Sequence, residues 1–301
     1  MKPTEKKWSI YGGFTHLDGD VENIYYGQNK YSWDNGYKKD SVENKMTGLY
    51  TFGEYGIKED ISLGVIFGAN NLESSLSNGS KADGTAIYLG GFVKKYMKNL
   101  RLLAGIGYQY GDYEIDRYSL GADMVRAYNS DYNDKALNLY TDIKYSHVLK
   151  EKFYLEPSIR LNYTHISQDG ADESGKLSIK TESKDFDYMS LRVGMDIRKD
   201  FYISDIKQSF SLGSYYEKMI DGDENEKITG RFSGGSDFNI LVAGKNKDRV
   251  GLIAKYEIEL ENGISFDLKG DYSFERSIYI GDMKHTDKGE WRIGAGLGYR
   301  F

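Results

Sequence analysis

The sequence predicts an all-β protein, a 12-stranded antiparallel up-and-down transmembrane β-barrel, and three observations carry that expectation. Apolar and polar residues alternate with a period of two along most of the chain, the spacing at which successive strand side chains face opposite sides. The composition favours sheet and turn, with 27 Tyr, 13 Phe and 35 Gly against 2 Pro in 301 residues. Tight turns alternate with long polar segments, so a meander built from these strands has two unlike ends. The mean hydropathy of -0.61 is then an average over one apolar face and one polar face.

Twelve strands are expected near 7–18, 44–57, 60–73, 84–97, 99–115, 135–148, 153–168, 186–199, 207–220, 248–261, 263–276 and 289–301. The second and fourth alternate least clearly, because apolar residues fall on both parities there: Leu49 beside Tyr50, Phe92 beside Val93. In the fifth, Leu100, Leu102, Ala104, Ile106 and Tyr108 share a face; in the sixth, Leu137, Leu139, Ile143 and Tyr145 do. Leu155, Ile159, Leu161 and Tyr163 form the apolar row of the seventh, and Met189, Leu191, Val193, Met195 and Ile197 that of the eighth. Val250, Leu252, Ala254, Tyr256, Ile258 and Leu260 line one side of the tenth. In the last, Trp291, Ile293, Ala295, Leu297, Tyr299 and Phe301 oppose Glu290, Arg292, Gly294, Gly296, Gly298 and Arg300.

Tight turns are expected at 57–60, 98–99, 150–152 and 261–263, with a longer one at 200–206. Long loops are expected at 19–43, 116–134, 169–185, 221–247 and 277–288, and 221–247 reads either as an extra hairpin arm or as a loop helix. No apolar run approaches the length of a transmembrane helix, whereas each strand is long enough to cross the apolar band of a membrane when tilted. Lipid offers no water to an open sheet edge, so such a sheet closes. A water-soluble sandwich would need a second sheet over every apolar row, and strands this long fit it poorly.

The opposite rows carry both signs of charge. Arg160, Arg192, Arg249, Lys255, Glu257, Lys269, Asp271, Arg292 and Arg300 are expected to line a hydrated lumen, together with Arg101, Asp142, Lys144, Glu156, Asp196 and Arg198. A bore of twelve strands is wider than one that its own side chains fill. The plainer alternative is a wall of cross-strand ion pairs with no cargo.

The chain ends Gly296-Leu297-Gly298-Tyr299-Arg300-Phe301, and this resembles the signal by which the outer-membrane insertion machinery recognises barrel substrates, with Gly296, Tyr299 and Phe301 as its key positions. Gly294 departs from the polar residue found upstream in that pattern. With Asp248-Arg249-Val250-Gly251-Leu252, the turn Glu261-Asn262-Gly263 and Gly270-Asp271-Tyr272, the layout resembles the translocator β-domain of autotransporters, the type V secretion proteins. The resemblance implies twelve strands, a C-terminal place in a longer precursor and a lumen plugged by a helix leading to a passenger. Residues 1–7 are then expected to be a remnant of the linker and 8–301 the barrel, with both termini periplasmic. Met1–Lys7 holds no signal peptide, so the chain reads as a fragment with its signal and passenger upstream. The partners implied are outer-membrane lipid, the insertion machinery, and the protein's own passenger and linker helix.

Other functions are weighed against this one. His165-Ile166-Ser167 resembles the His-x-Ser of outer-membrane phospholipases, with His165 and Ser167 as candidate base and nucleophile on the lipid face. The next residues, Gln168-Asp169-Gly170, depart from that pattern, and no acidic or amide partner for His165 can be placed from sequence. A free-standing pore or adhesin is the other alternative, with loop residues Tyr25, Tyr26, Tyr31, Trp33 and Tyr37 as a contact surface or as rim packing. No enzyme activity, cofactor or metal is expected. Absent Cys removes disulfides and thiol nucleophiles, and the four His (16, 147, 165, 285) are scattered. A net charge of -6 argues against nucleic acid. The acidic run Asp221 to Glu226 reads as a solvated loop before it reads as a calcium site.

Overall fold

The computed structural model describes residues 5–26, 37–120, 125–175, 177–222, 226–241, 247–280 and 283–301. The barrel strands are β1 (Trp8–Tyr26), β2 (Tyr37–Lys58), β3 (Ile61–Leu76), β4 (Lys81–Met97), β5 (Leu100–Leu120), β6 (Val125–Tyr145), β7 (Phe153–Gln168), β8 (Lys184–Ile203), β9 (Ile206–Asp221), β10 (Asp248–Glu259), β11 (Ile264–Ser273) and β12 (Met283–Arg300). Each pairs antiparallel with its neighbours in sequence, and β12 pairs with β1 from Arg300 opposite Ser9 upward, so the barrel is closed and has 12 strands. The short segments His147–Lys150 and Arg276–Ile280 extend the sheet beside β7 and β12.

Closure puts one parity of every strand outside. Leu49, Val65, Leu89, Ile106, Leu139, Ile159, Val193, Leu212, Leu268 and Leu297 are exposed, although each belongs to a well-ordered strand, and they form one apolar girdle. In water such a continuous surface would aggregate; in hydrocarbon it is the solvated state. Aromatic rings flank the girdle. Trp8 packs on Tyr55 and Tyr299 on Phe301 near the short-turn end, while Trp291 packs on His16 ten residues up the wall.

The short-turn end is tighter than the sequence suggests. In place of a loop over 200–206, β8 and β9 run to Ile203 and Ile206, joined by Ser204 and Asp205 alone. Both have positive φ (48° and 65°), the mirror-image turn whose twist matches the strands. At the other end the strands are longer than expected: much of 19–43 and all the described residues of 116–134 are paired sheet. Beyond the girdle both faces of the wall are wet, so the ladder continues without the apolar alternation that marks strands in a sequence.

Among the described residues of 221–247, 227–241 form a hairpin. Its arms, Lys227–Phe232 and Asp237–Leu241, join Ile179–Thr181 of the β7–β8 connection in a separate three-stranded sheet. Of the aromatic loop candidates, Tyr31 and Trp33 lie outside the described residues, as do the side chains of Tyr25, Tyr26 and Tyr37, and Asp223, Glu224 and Asn225 of the acidic run.

Candidate translocation bore

The inner face has two unlike walls, and each follows from which residues share the inward parity. On β1, β2 and β4 it is aromatic. Tyr11 stacks on Phe52 (centroids 4.9 Å apart) and on Tyr50 (6.0 Å), and Phe92 meets Phe52 edge-on at 5.9 Å. These rings explain why β2 and β4 carry apolar residues on both parities: the outward ones meet lipid, the inward ones line the bore. Most of the inward rings lie across a glycine of an adjacent strand. A Cβ at Gly296 would sit 1.9 Å from Tyr11 Oη, one at Gly64 2.1 Å from Phe92 Cζ, and one at Gly107 1.8 Å from Tyr88 Oη. Only a residue without a side chain admits a ring at that distance. The sequence reading missed this aromatic wall, although glycine at inward parity on one strand with an aromatic on the next was there to be read.

The remaining strands supply charge. Asp142 of β6, almost fully buried, accepts from Arg101 at 2.8 Å and pairs with Arg160 at 3.2 Å. Lys144 reaches Asp196 at 2.5 Å, and Arg198 donates to Glu156 at 3.1 Å while lying 4.1 Å over the Tyr154 ring. Arg192 donates to Glu217 at 2.7 Å and covers Tyr215, whose hydroxyl donates to Asp271 at 3.0 Å. Lys255 pairs with Glu257 at 2.7 Å. Arg249 and Arg292 share Glu290 at 3.5 and 3.3 Å. Lys269 shares its face with Asp271, and Arg300 stands at the short-turn end, where its backbone N–H donates to Gly263. The charged candidates thus sit on one side of the sheet, most of them neutralised pairwise across strands. Toward the long-loop end a cavity of about 450 Å³ is lined by Asn44, Asn162, Glu217, Arg249 and Glu290. These residues come from strands on opposite sides, so at this level the space is the bore itself.

The terminal residues complete the seam. Trp8 and Phe301 exchange backbone hydrogen bonds (3.2 and 3.0 Å), Tyr299 pairs with Ile10 on one side and Ile264 on the other, and Gly296 receives the Tyr11 ring.

His165 has the acidic neighbour that the sequence could not place. Asp187 lies directly opposite it on β8, with its carboxylate 2.9 Å from His165 Nδ1 and accepting from the Tyr163 hydroxyl at 2.6 Å. A 15-residue connection separates the two strands, and only register shows the pairing. His165 lies above the girdle and half exposed, and among the described residues no hydrogen bond joins it to Ser167. Without that bond the imidazole has no hydroxyl to activate in this geometry. Asp18, Asp20 and Glu43 gather three carboxylates within 4.8 Å on the outer face, next to Lys45, which pairs with Glu43 at 2.5 Å.

Residues 23–273 match the autotransporter β-domain family. Among solved structures, the chain is similar to the translocator domain of the autotransporter NalP from Neisseria meningitidis (TM-score 0.70, 16% identity, 99% of this chain and 90% of that one). It is also similar to the β domain of the Bordetella autotransporter BrkA (0.58, 12%, 95% and 98%). A third likeness is to the transport unit of the autotransporter AIDA-I from Escherichia coli (0.57, 11%, 99% and 91%). At these identities the likenesses speak for the fold alone. No curated protein matches by sequence.

Proposed function

The chain belongs to the autotransporter β-domain family, an outer-membrane barrel, and we propose that it supports export of an upstream passenger and anchors it at the cell surface. The observation that carries the reading is the two-faced wall: an unbroken apolar exterior around a bore lined by aromatic rings and paired charges. Nothing in that arrangement requires a cofactor. A polypeptide in transit needs a surface that is hydrated, offers both signs of charge and holds no bare ion tightly, and cross-strand neutralisation provides one.

In this reading the short-turn end and both termini face the periplasm, and residues N-terminal to Trp8 lead into the bore as the stem of the passenger. Gly296, Tyr299 and Phe301 serve as the contact for the insertion machinery, on the strand that closes the barrel. The test is surface display. A signal peptide and a folded reporter placed ahead of Trp8 should make the reporter accessible to antibody and external protease on intact cells. A reporter that stays protected while the barrel is folded in the outer membrane sinks the proposal.

A further inference from the structure

Two segments at the short-turn end repeat one pattern, Ile57-Lys58-Glu59-Asp60-Ile61 and Leu149-Lys150-Glu151-Lys152-Phe153. Each carries a bulge at the same place. Gly56 pairs with Ser62 and Lys58 with Ile61, which leaves Ile57 over; Val148 pairs with Tyr154 and Lys150 with Phe153, which leaves Leu149 over. In a regular ladder Ile57 and Leu149 would stand opposite Ile61 and Phe153. The extra residue re-aims a lysine into that position instead. Ile61 and Phe153 continue the outward rows that hold exposed Val65 and Ile159, so Lys58 and Lys150 face outward with them.

The other flank of each rung is also lysine. Ile61 pairs with Lys95 of β4, and Phe153 with Lys199 of β8. An apolar side chain is thus held between two lysines in both places, Lys58–Ile61–Lys95 and Lys150–Phe153–Lys199. The rungs match in the backbone too: the Tyr96 amide donates to the Asp60 carbonyl at 2.7 Å, and the Asp200 amide to the Lys152 carbonyl at 2.9 Å. All four lysines are exposed. Among the described residues none of them is ion-paired to a carboxylate, Glu59, Asp60 and Glu151 of the turns included. Lys199 Nζ lies 5.0 Å from the centre of the Phe153 ring, drawn toward the middle of its rung. The inward cations, by contrast, are mostly neutralised across strands.

Height decides what meets these charges. Lys95 is the next outward residue after Val93, and Lys199 after Ile197, both exposed members of the apolar girdle. One outward step is about 7 Å along a strand, and the headgroup layer beside the hydrocarbon is about 5–7 Å deep, so the ammonium groups stand within it. Strands two apart place the lysine Cα atoms of a rung about 10 Å from each other, a gap that two flexible four-carbon stems close onto one oxyanion. We propose that each rung is a clamp for the phosphate of an anionic phospholipid in the leaflet at the short-turn end, its acyl chains lying along the adjoining girdle. The apolar centre of the rung and the girdle beside it favour an anion that carries its own hydrocarbon over free phosphate. The proposal needs a barrel in lipid and is independent of export.

The test uses the folded full chain in phosphatidylcholine vesicles with a trace of spin-labelled lipid, heat-modifiable mobility confirming each barrel. The motionally restricted fraction should favour spin-labelled phosphatidylglycerol over spin-labelled phosphatidylcholine by about three-fold or more, the scale of lysines at a membrane surface. Lys58→Gln with Lys95→Gln, and Lys150→Gln with Lys199→Gln, should each remove about half of that preference, and all of them together should abolish it. Absence of any preference in the unaltered chain, or its survival in the combined variant, overturns the clamp. Lys135→Gln, on the outward parity at the long-loop end, should leave the preference unchanged; an equal loss there would make it a matter of net charge and overturn the clamp. Inorganic phosphate should compete no better than chloride at equal ionic strength. Stronger competition would make the rungs free-phosphate sites and overturn the lipid assignment. Should the variants not fold, the unaltered chain decides: its preference should collapse between about 0.05 M and about 1 M salt, and a preference indifferent to salt overturns the clamp. The two proposals fail separately: a barrel that displays its reporter without lipid preference sinks only the clamp, and one with the preference that displays nothing sinks only export.

Discussion

Gly107 shows how closely this wall is built, because one methyl group there would overlap the Tyr88 ring. Gly107→Ala should destabilise the barrel by about 1–3 kcal/mol, as for any overpacked site. Tyr88→Ala should absorb most of that penalty in a double-mutant cycle, read by urea unfolding in lipid vesicles. Additive losses would mean that the ring does not rest on the glycine. Asp142 is the electrostatic counterpart, nearly buried between two guanidinium groups. Asp142→Asn should cost about 1–3 kcal/mol by leaving those donors weakly partnered. It should also move the reversal potential of the open pore toward anion preference; an unmoved potential would place Asp142 off the conduction path.

Among the elements, β12 carries two roles at different heights. Near its end, Phe301 and Trp8 close the seam through backbone atoms, while the Phe301 ring, stacked on Tyr299, stands half exposed and in the proposed function is the contact for the insertion machinery. Phe301→Ala should therefore slow assembly in cells far more than refolding of purified chain into vesicles. Equal slowing in both would make the ring a packing element and no signal. Above the Trp291 girdle the same strand holds His285, buried and hydrogen-bonded to Asn23 at 2.7 Å. Burial lowers its pKa, against a smaller opposing pull from Asp287. The unfolded imidazole, with a pKa of about 6.5, then binds protons more readily than the folded one. The packing around His285 is fully stabilising above that pH and loses stability as pH falls through it. Amide exchange over 283–287 should accelerate between about pH 7.5 and about pH 5.5, while the girdle strands stay protected. Faster exchange at the higher pH, after correction for intrinsic rates, would refute the sign.

At the scale of the whole molecule, what could be read from the sequence follows where water lies. Inside the membrane the two faces meet different solvents, so rows such as Leu137–Leu139 or Ile293–Ala295–Leu297 alternate cleanly, and strand number, order and closure were legible. The aromatic wall blurred that signal at Tyr50, Phe52 and Phe92, because a bore tolerates rings that the alternation rule assigns to lipid. Above the membrane the difference between faces vanishes, and the paired lengths of β5 and β6 beyond residue 115 could not be seen. Nor could the Asp187–His165 partners, set by register across a long connection. The charged candidates were legible as a row, with cross-strand pairing as an alternative, but which residue pairs with which was not.

In the proposed function a polypeptide passes along the inner face of this barrel. The most direct test places a photo-crosslinking residue at inward Arg192 or at its outward neighbour Val193, in cells secreting an upstream passenger stalled by a folded block. Crosslinks to the passenger are expected from position 192 and to lipid from position 193. Passenger crosslinks absent from 192, or equal from both positions, would contradict it.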